Sequence, residues 1–376
     1  MAIRRPPTDI AERSGGAKAN DIIADLFTGH AVDLLRVEAG QRRKVRTFLA
    51  KLERDIVAQL AAIDPTEPVR AAYRQKRLET LLEQVKETIR ASYRRTSTEM
   101  IGELRELAEI EGAFVAGAIN KGVGFHLATA NFTRQQLVSL VGSVLVHGAP
   151  VAEWWSRQAG DTLQRFTDQM RMGMALGETS QQLIQRIRGG TRNGELITGF
   201  MDISKRHADS LVRSATMAVA NDAREATYQA NADILNAIVW TSTLDNRTSV
   251  QCQVRDGLRY TLDHQPIGHD VPWGPGPGNL HWGCRSTSRP ETKSWREMGF
   301  DIDDLSLATR VSIDGQVAGD SKFEDWLAKR SRVEQDNALG KGRADLWRDG
   351  KISYRDLLDQ NGRELNLEQL RDITTA

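Results

Sequence analysis

Cys252, His281 and Cys284 carry the soft donor atoms of segment 245–286, DNRTSVQCQVRDGLRYTLDHQPIGHDVPWGPGPGNLHWGCRS. That segment holds both cysteines of the chain, three of its seven histidines and four of its ten prolines. His281 and Cys284 form an H-x-x-C pair, and Cys252 lies 32 residues upstream of Cys284, a separation that a loop closes readily. Sulfur and imidazole donors in this pattern suit a structural zinc, which takes four tetrahedral ligands. Three are evident, and His264, His269 or Asp245 is the candidate for the fourth. Ser249 stands where the first cysteine of a C-x-x-C half-site would be. Other readings stay open: buried residues that pack and hydrogen-bond, or a Cys252–Cys284 disulfide formed in an oxidising medium. A catalytic reading also exists, because His281, Arg285, Asp245, Arg247 and His264 include the acids, bases and anion binders of a metal-independent nuclease. Asp and Arg beside a tight turn are more often a structural ion pair, so catalysis ranks below the structural readings.

The surrounding sequence says what holds this segment. AIVWTST (237–243) has the β-branched and aromatic content of a short strand, and GLRYTL (257–262) reads as a second, with VRDG as the turn before it. HDVPWGPGPGNLHWG is a loop, since alternating Pro and Gly neither pair as a central strand nor coil. Trp240, Trp273 and Trp282 are expected to pack on this irregular core. Upstream the chain reads as helix. Val45, Phe48, Leu52, Ile56, Leu60 and Ile63 mark one helical face, and Pro65 and Pro68 stop it. A longer stripe, Leu78, Leu82, Val85, Ile89, Tyr93, Thr96, Met100, Leu104 and Leu107, belongs to a helix from about 69 towards 114, a bundle or coiled-coil seam. Helices are expected near 133–147 and 151–172. GETSQQLIQRIRGG (177–190) should be a helix capped by Thr179 or Ser180, and the last long helix should span about 205–232.

A length of 376 residues with 40% hydrophobic and 27% charged residues suits two or three folded domains, and a net charge of +1 supplies no global field for nucleic acid. No apolar run reaches the ~18 residues of a membrane span, and nothing resembles a signal peptide, so folding in a cytoplasm is expected. The reading is a mainly α chain: a flexible tail over 1–20, an elongated helical N-terminal region over 21–204, a small α+β domain with the Cys/His loop over 205–290, and a short helical C-terminal unit over 291–376.

The run VWTSTLDNRTSVQC, then DG, then HWGCRS followed by Pro290 resembles the signature of the Mu F-like phage head morphogenesis family, the minor capsid or minor head proteins. Its elements fall on Trp240, Asp245, Arg247, Thr248, Cys252, Gly257, His281, Cys284 and Arg285. The helix SLVRSATMAVANDAREATYQANAD is similar to the one that leads into this domain in the family, and the 320–370 region and HAVDLLRVEAG resemble a subset of members. Many relatives have cysteine at the Ser249 and Ser286 positions, which weakens a metal role for the loop here. The resemblance implies a non-enzymatic bacteriophage minor head protein in the virion, inside the head near the portal vertex, after assembly in the host cytoplasm. Its implied partners are the portal and the procapsid or scaffold proteins, and packaged DNA in some cases, with a part in packaging or ejection. Two alternatives remain. One is a nucleic-acid hydrolase using the His281 region. The other is a DNA-binding internal head protein using the basic runs at 42–44, 93–95 and 186–192, which are more often solvated helix faces.

Overall fold

The computed structural model describes residues 19–61, 72–192, 195–294, 297–298, 309–312, 315–318 and 322–375. The tail expected over 1–20 lies outside them up to residue 18, and the stop expected at Pro65 and Pro68 lies wholly outside. The chain is mainly α. It runs α1 (Ala19–Ala61), α2 (Ala72–Val123), α3 (Arg134–Ser143), the hairpin β1 (Leu145–Val146) and β2 (Ala149–Pro150), α4 (Val151–Ala175) and α5 (Ser180–Arg188). The hairpin β3 (Gly189–Arg192) and β4 (Glu195–Thr198) leads to α6 (Phe200–Ala230), β5 (Leu235–Thr241), α7 (Val250–Arg255), β6 (Arg259–Tyr260), β7 (Pro266–Ile267) and β8 (Thr287–Thr292). A hairpin of β9 (Thr309–Ser312) and β10 (Gly315–Ala318) precedes α8 (Phe323–Ala328), α9 (Arg332–Leu339), α10 (Lys341–Arg348), a 3-10 turn at Arg355–Leu357, and α11 (Leu367–Thr375).

Two compact units emerge, and both are discontinuous in sequence, so the segments 21–204, 205–290 and 291–376 expected from chain order are cut differently. One unit takes its described residues from 38–61, 72–106, 141–192 and 195–216. It is a helical bundle built on the expected stripes. Val45, Leu49, Leu52, Ile56 and Leu60 are buried, with Leu49 taking the place expected of Phe48. Leu82, Val85, Ile89, Tyr93, Thr96, Met100 and Leu104 are buried along α2. Polar rungs fix the helix register: the Tyr93 hydroxyl lies 2.8 Å from Thr162 Oγ1, which lies 3.0 Å from Ser204 Oγ. Thr179 caps α5 in a reciprocal capping box with Gln182, as its sequence requires. The helix expected over 133–147 stops earlier, at Ser143, because the His147–Gly148 turn takes positive φ (47° and 85°) and closes a hairpin.

The other unit takes its described residues from 19–37, 107–140 and 217–375 and holds the Cys/His segment. A four-stranded antiparallel sheet in the order β7-β6-β5-β8 is its centre. Residues 217–230 of α6 pack along it, where the Tyr228 hydroxyl donates to the Ser288 carbonyl (3.2 Å) and Asn221 Oδ1 accepts from the Ser288 amide (3.2 Å). One apolar cluster joins Ile23, Phe27, Val115, Ile119 and Tyr228 to Ile238, Trp240, Tyr260, Trp273 and both cysteines. A second joins Leu244, Val250, Val254 and Val271 to Phe323, Trp326, Leu339, Tyr354, Leu357 and Leu370. The C-terminal helices therefore share a core with the segment that precedes them.

Within this unit lies a charged cluster that the sequence reading missed. Glu111 and Arg224 are fully buried and paired at 2.8 Å, and His30 Nε2 lies 2.6 Å from the other Glu111 oxygen. The His30 ring stacks on Phe114 at 3.7 Å.

Candidate metal centre

The site is built from the end of β5 forward. Trp240 is buried, and its backbone takes a short return from the turn after α7: Gly257 N–H donates to the Trp240 carbonyl (2.9 Å) and Trp240 N–H to the Leu258 carbonyl (2.9 Å). Gly257 holds φ +75°, the left-handed region that suits glycine. Asp245 then organises the approach to α7. Its carboxylate accepts both arms of the Arg285 fork at 2.6 Å each, the Arg247 amide at 3.0 Å and the Thr248 hydroxyl at 3.2 Å. Burial pushes the Asp245 carboxyl up, but the Arg285 guanidinium and these donors outweigh it and hold the group below its usual range. The Arg247 side chain itself is 80% exposed and reaches Asp245 only at 3.7 Å.

Ser249 caps α7, its hydroxyl accepting from the Cys252 amide at 3.3 Å. The cap turns Cys252 inward, and its Sγ lies 3.6 Å from Cys284 Sγ and 3.3 Å from His281 Nε2. Ser249 Oγ lies 2.8 Å from the same imidazole nitrogen. On the opposite strand of chain, the Cys284 amide donates to the His281 carbonyl (3.0 Å), a turn that sets the H-x-x-C donors side by side. Both cysteines are buried free thiols. His281 Nδ1 lies 3.1 Å from the Trp282 carbonyl, which can only accept, so Nδ1 carries a proton and Nε2 faces the sulfurs. Without a metal, the hydrogen bond from Cys252 and the neighbouring His281 push the Cys284 thiol well down. The bond to Cys284, together with burial, pushes Cys252 well up, and the same Cys284 raises His281.

Of the residues singled out in the sequence, Cys252, His281 and Cys284 come together, with their donor atoms all within 4.8 Å of one another. The fourth-ligand candidates do not join them. His264 is 3.1 Å from Glu225 and stacks on Trp273 at 4.7 Å. His269 lies 2.8 Å from the Arg259 carbonyl and accepts from the Val271 amide. Asp245 is taken up by Arg285. Trp240 and Trp273 meet edge to face at 5.2 Å, as expected of core residues, whereas Trp282 is 44% exposed and does not pack inward. The segment also contains a helix, α7, which was not expected; its last two residues overlap the VRDG turn expected before GLRYTL.

Thr243, Arg247, Ser249, Cys252, His281 and Arg285 border a depression of ≈ 20 Å³, about enough for one water molecule. Asp245, the one carboxylate of the nuclease-like set, has both oxygens committed to Arg285.

Residues 164–289 match the family described as phage Mu protein F like protein. The match ends where the signature was expected to end, in β8, and begins earlier than 205, within α4. No curated protein and no solved structure matches the chain. Over about a third of its length, then, the chain carries a phage Mu protein F-like domain, which points to a phage head protein. No helix among the described residues is long and apolar enough to cross a membrane.

Proposed function

We propose that the protein is a minor head protein of a tailed phage, which binds the portal and procapsid through protein–protein contacts and takes part in head assembly. The observation that carries this reading is the Mu F-like match over 164–289, whose signature residues serve the packing of the domain. Trp240 is core, Asp245 and Arg285 close a turn, Gly257 makes a backbone return, and Cys252 and Cys284 are buried. A hydrolase built on His281 would need a pocket for a nucleotide and a free base. The depression beside His281 has room for about one water, and the Asp245 oxygens are engaged. These features favour a rigid docking body over a reaction centre.

DNA binding by the basic runs is likewise disfavoured by their partners. Arg42 pairs with Glu38, Lys44 with Glu103, Arg94 with Glu87, Arg95 with Glu99, Arg186 with Glu178 and Arg188 with Glu53. Charges neutralised within their own bundle release few counterions from a phosphate backbone. The deciding experiment is co-sedimentation of the chain with procapsids or portal rings assembled from its own phage's head proteins, followed by mass spectrometry of purified particles. Recovery in the particle fraction at low copy is expected. A chain that remains wholly in the soluble fraction refutes the reading.

A further inference from the structure

We propose that Cys252 Sγ, Cys284 Sγ and His281 Nε2 bind one zinc ion, with a water held beside Ser249 Oγ at the fourth corner. The inference is independent of the head-assembly reading, since it rests on donor geometry alone. A tetrahedral zinc with bonds of about 2.3 Å to sulfur and 2.0–2.1 Å to nitrogen spaces its ligands about 3.8 Å (S···S) and 3.5 Å (S···N) apart. The two sulfurs stand 3.6 Å apart, and Cys252 Sγ stands 3.3 Å from the imidazole nitrogen. Small outward adjustments admit the ion. A covalent disulfide needs about 2.05 Å between sulfurs, so the thiols as they stand are not bonded to each other, and a zinc ion would need only a slightly wider separation.

The surroundings complete the fit. His281 donates Nδ1–H to a backbone carbonyl, the outer contact that orients a metal-binding imidazole and leaves Nε2 as the ligand. Ser249 Oγ lies 2.8 Å from that nitrogen. It borders the ≈ 20 Å³ depression, in which a single water fits. Two soft sulfurs and one imidazole favour zinc over magnesium, calcium or manganese, which take oxygen donors. On binding, two protons leave, so that both cysteines coordinate as thiolates and His281 as the neutral ring, and the ion's two positive charges are balanced by two thiolates. The site has three protein ligands; the depression beside it holds about one water, and among the described residues Asp245 is engaged by Arg285. The site's role is to tie α7 to the turn before β8.

The full chain, purified from zinc-supplemented cells without chelator, should contain close to one zinc per molecule by elemental analysis. Cobalt exchange should give the visible bands and thiolate charge-transfer absorption of a tetrahedral two-sulfur site. Metal-free wild type that also fails to take up cobalt overturns the proposal, as does a Cys252–Cys284 disulfide seen by mass spectrometry or stoichiometric copper in place of zinc. His281→Ala should weaken zinc retention in a chelator competition by about 100-fold or more, above the loss typical of an outer contact. Cys252→Ser is a less clean probe, because Cys252 also belongs to the core. Ser249→Cys avoids that difficulty by placing a third sulfur at the fourth corner. It should tighten zinc at least about tenfold and intensify the cobalt–thiolate absorption. An unchanged cobalt spectrum in Ser249→Cys overturns the assignment of the fourth corner.

Discussion

Glu111→Leu should strongly destabilise the unit that carries the Cys/His segment. Glu111 and Arg224 are both 0% exposed, and their pair closes at 2.8 Å. Without Glu111, the Arg224 guanidinium keeps the Ser288 carbonyl at 3.2 Å and the face of Phe27 at 5.4 Å, and its Nη2 already lacks a partner. Removing one member of a buried pair costs about 3–5 kcal/mol, because the surviving charge is left in a medium that cannot solvate it. Removing both charges should cost far less, so Glu111→Leu/Arg224→Met should recover at least about 2 kcal/mol relative to the sum of the single changes. Guanidinium unfolding, followed by hydrogen exchange in peptides of residues 217–230, measures this within the relevant unit. The pH dependence has a definite sign. Burial pushes the Glu111 carboxyl up, but Arg224 and His30 outweigh it, and the folded value lies below the usual one of about 4.3. Its contribution is therefore present above about pH 4.3 and lost as pH falls through the lower folded value, so the gap between wild type and Glu111→Leu should narrow in acid. A loss under about 1 kcal/mol at neutral pH, or singles that simply add, refutes the reasoning.

Asp245→Asn should weaken the turn before α7 by about 1–3 kcal/mol, since it replaces a charged bidentate acceptor that is mostly buried. Because the Asp245 carboxyl is depressed in the fold, the wild-type advantage should be present above about pH 3.9 and fade as pH falls below it; a difference that grows in acid refutes this. Gly278→Ala should destabilise by about 2–4 kcal/mol, combining strain at positive φ with overpacking. There φ is +77°, and a Cβ would stand 2.8 Å from the Met217 carbonyl oxygen and 2.7 Å from Asn221 Nδ2; a thermal midpoint equal to wild type counts against the close approach.

Periodicity made the long helices legible, because amphipathic faces of many turns announce themselves: the stripe from Leu82 to Leu107 is buried throughout its length. The capping pair of Thr179 and Gln182 was equally readable, since its chemistry is local. Short elements were not. VQCQVR is too brief for a helical period, and no helix was expected there. TSRPET contains Pro290 and was assigned no element, yet it forms β8, where proline is tolerated because β8 is the sheet edge and a missing N–H there breaks no ladder. The Glu111–Arg224–His30 cluster was missed for a different reason. The helical stripe that runs through Leu104 and Leu107 continues onto Glu111, and an acid on the apolar face was the available signal. Its partners lie 81 and 113 residues away, beyond any local pattern. The Cys252, His281 and Cys284 donors could be named from residue type, but the fourth-ligand candidates were chosen by type too, and each already had another partner in the fold.

The concentration of unusual residues in one segment follows from the position of α7. Six residues are far too few for a helix to persist on its own, so α7 depends on what grips it. Val250 and Val254, four residues apart and hence on one face, enter the cluster with Phe323, Trp326 and Tyr354. Cys252, between them, faces the other way, into the cluster with Trp240, Tyr260, Trp273 and Cys284. Gln253 is held from both ends, its amide donating to the Thr248 carbonyl at 2.6 Å and its oxygen accepting from the Tyr354 hydroxyl. Buried Arg255 donates to the Pro272 carbonyl at 3.2 Å and lies over the Trp240 ring. Every side of the helix is thus committed, and each commitment demands a particular residue type: thiols small enough to meet across the sheet end, a histidine at the solvent rim, and prolines and glycines to wrap the chain around so short an element. The same residue types that suggest an active site are what a six-residue helix needs in order to join two cores.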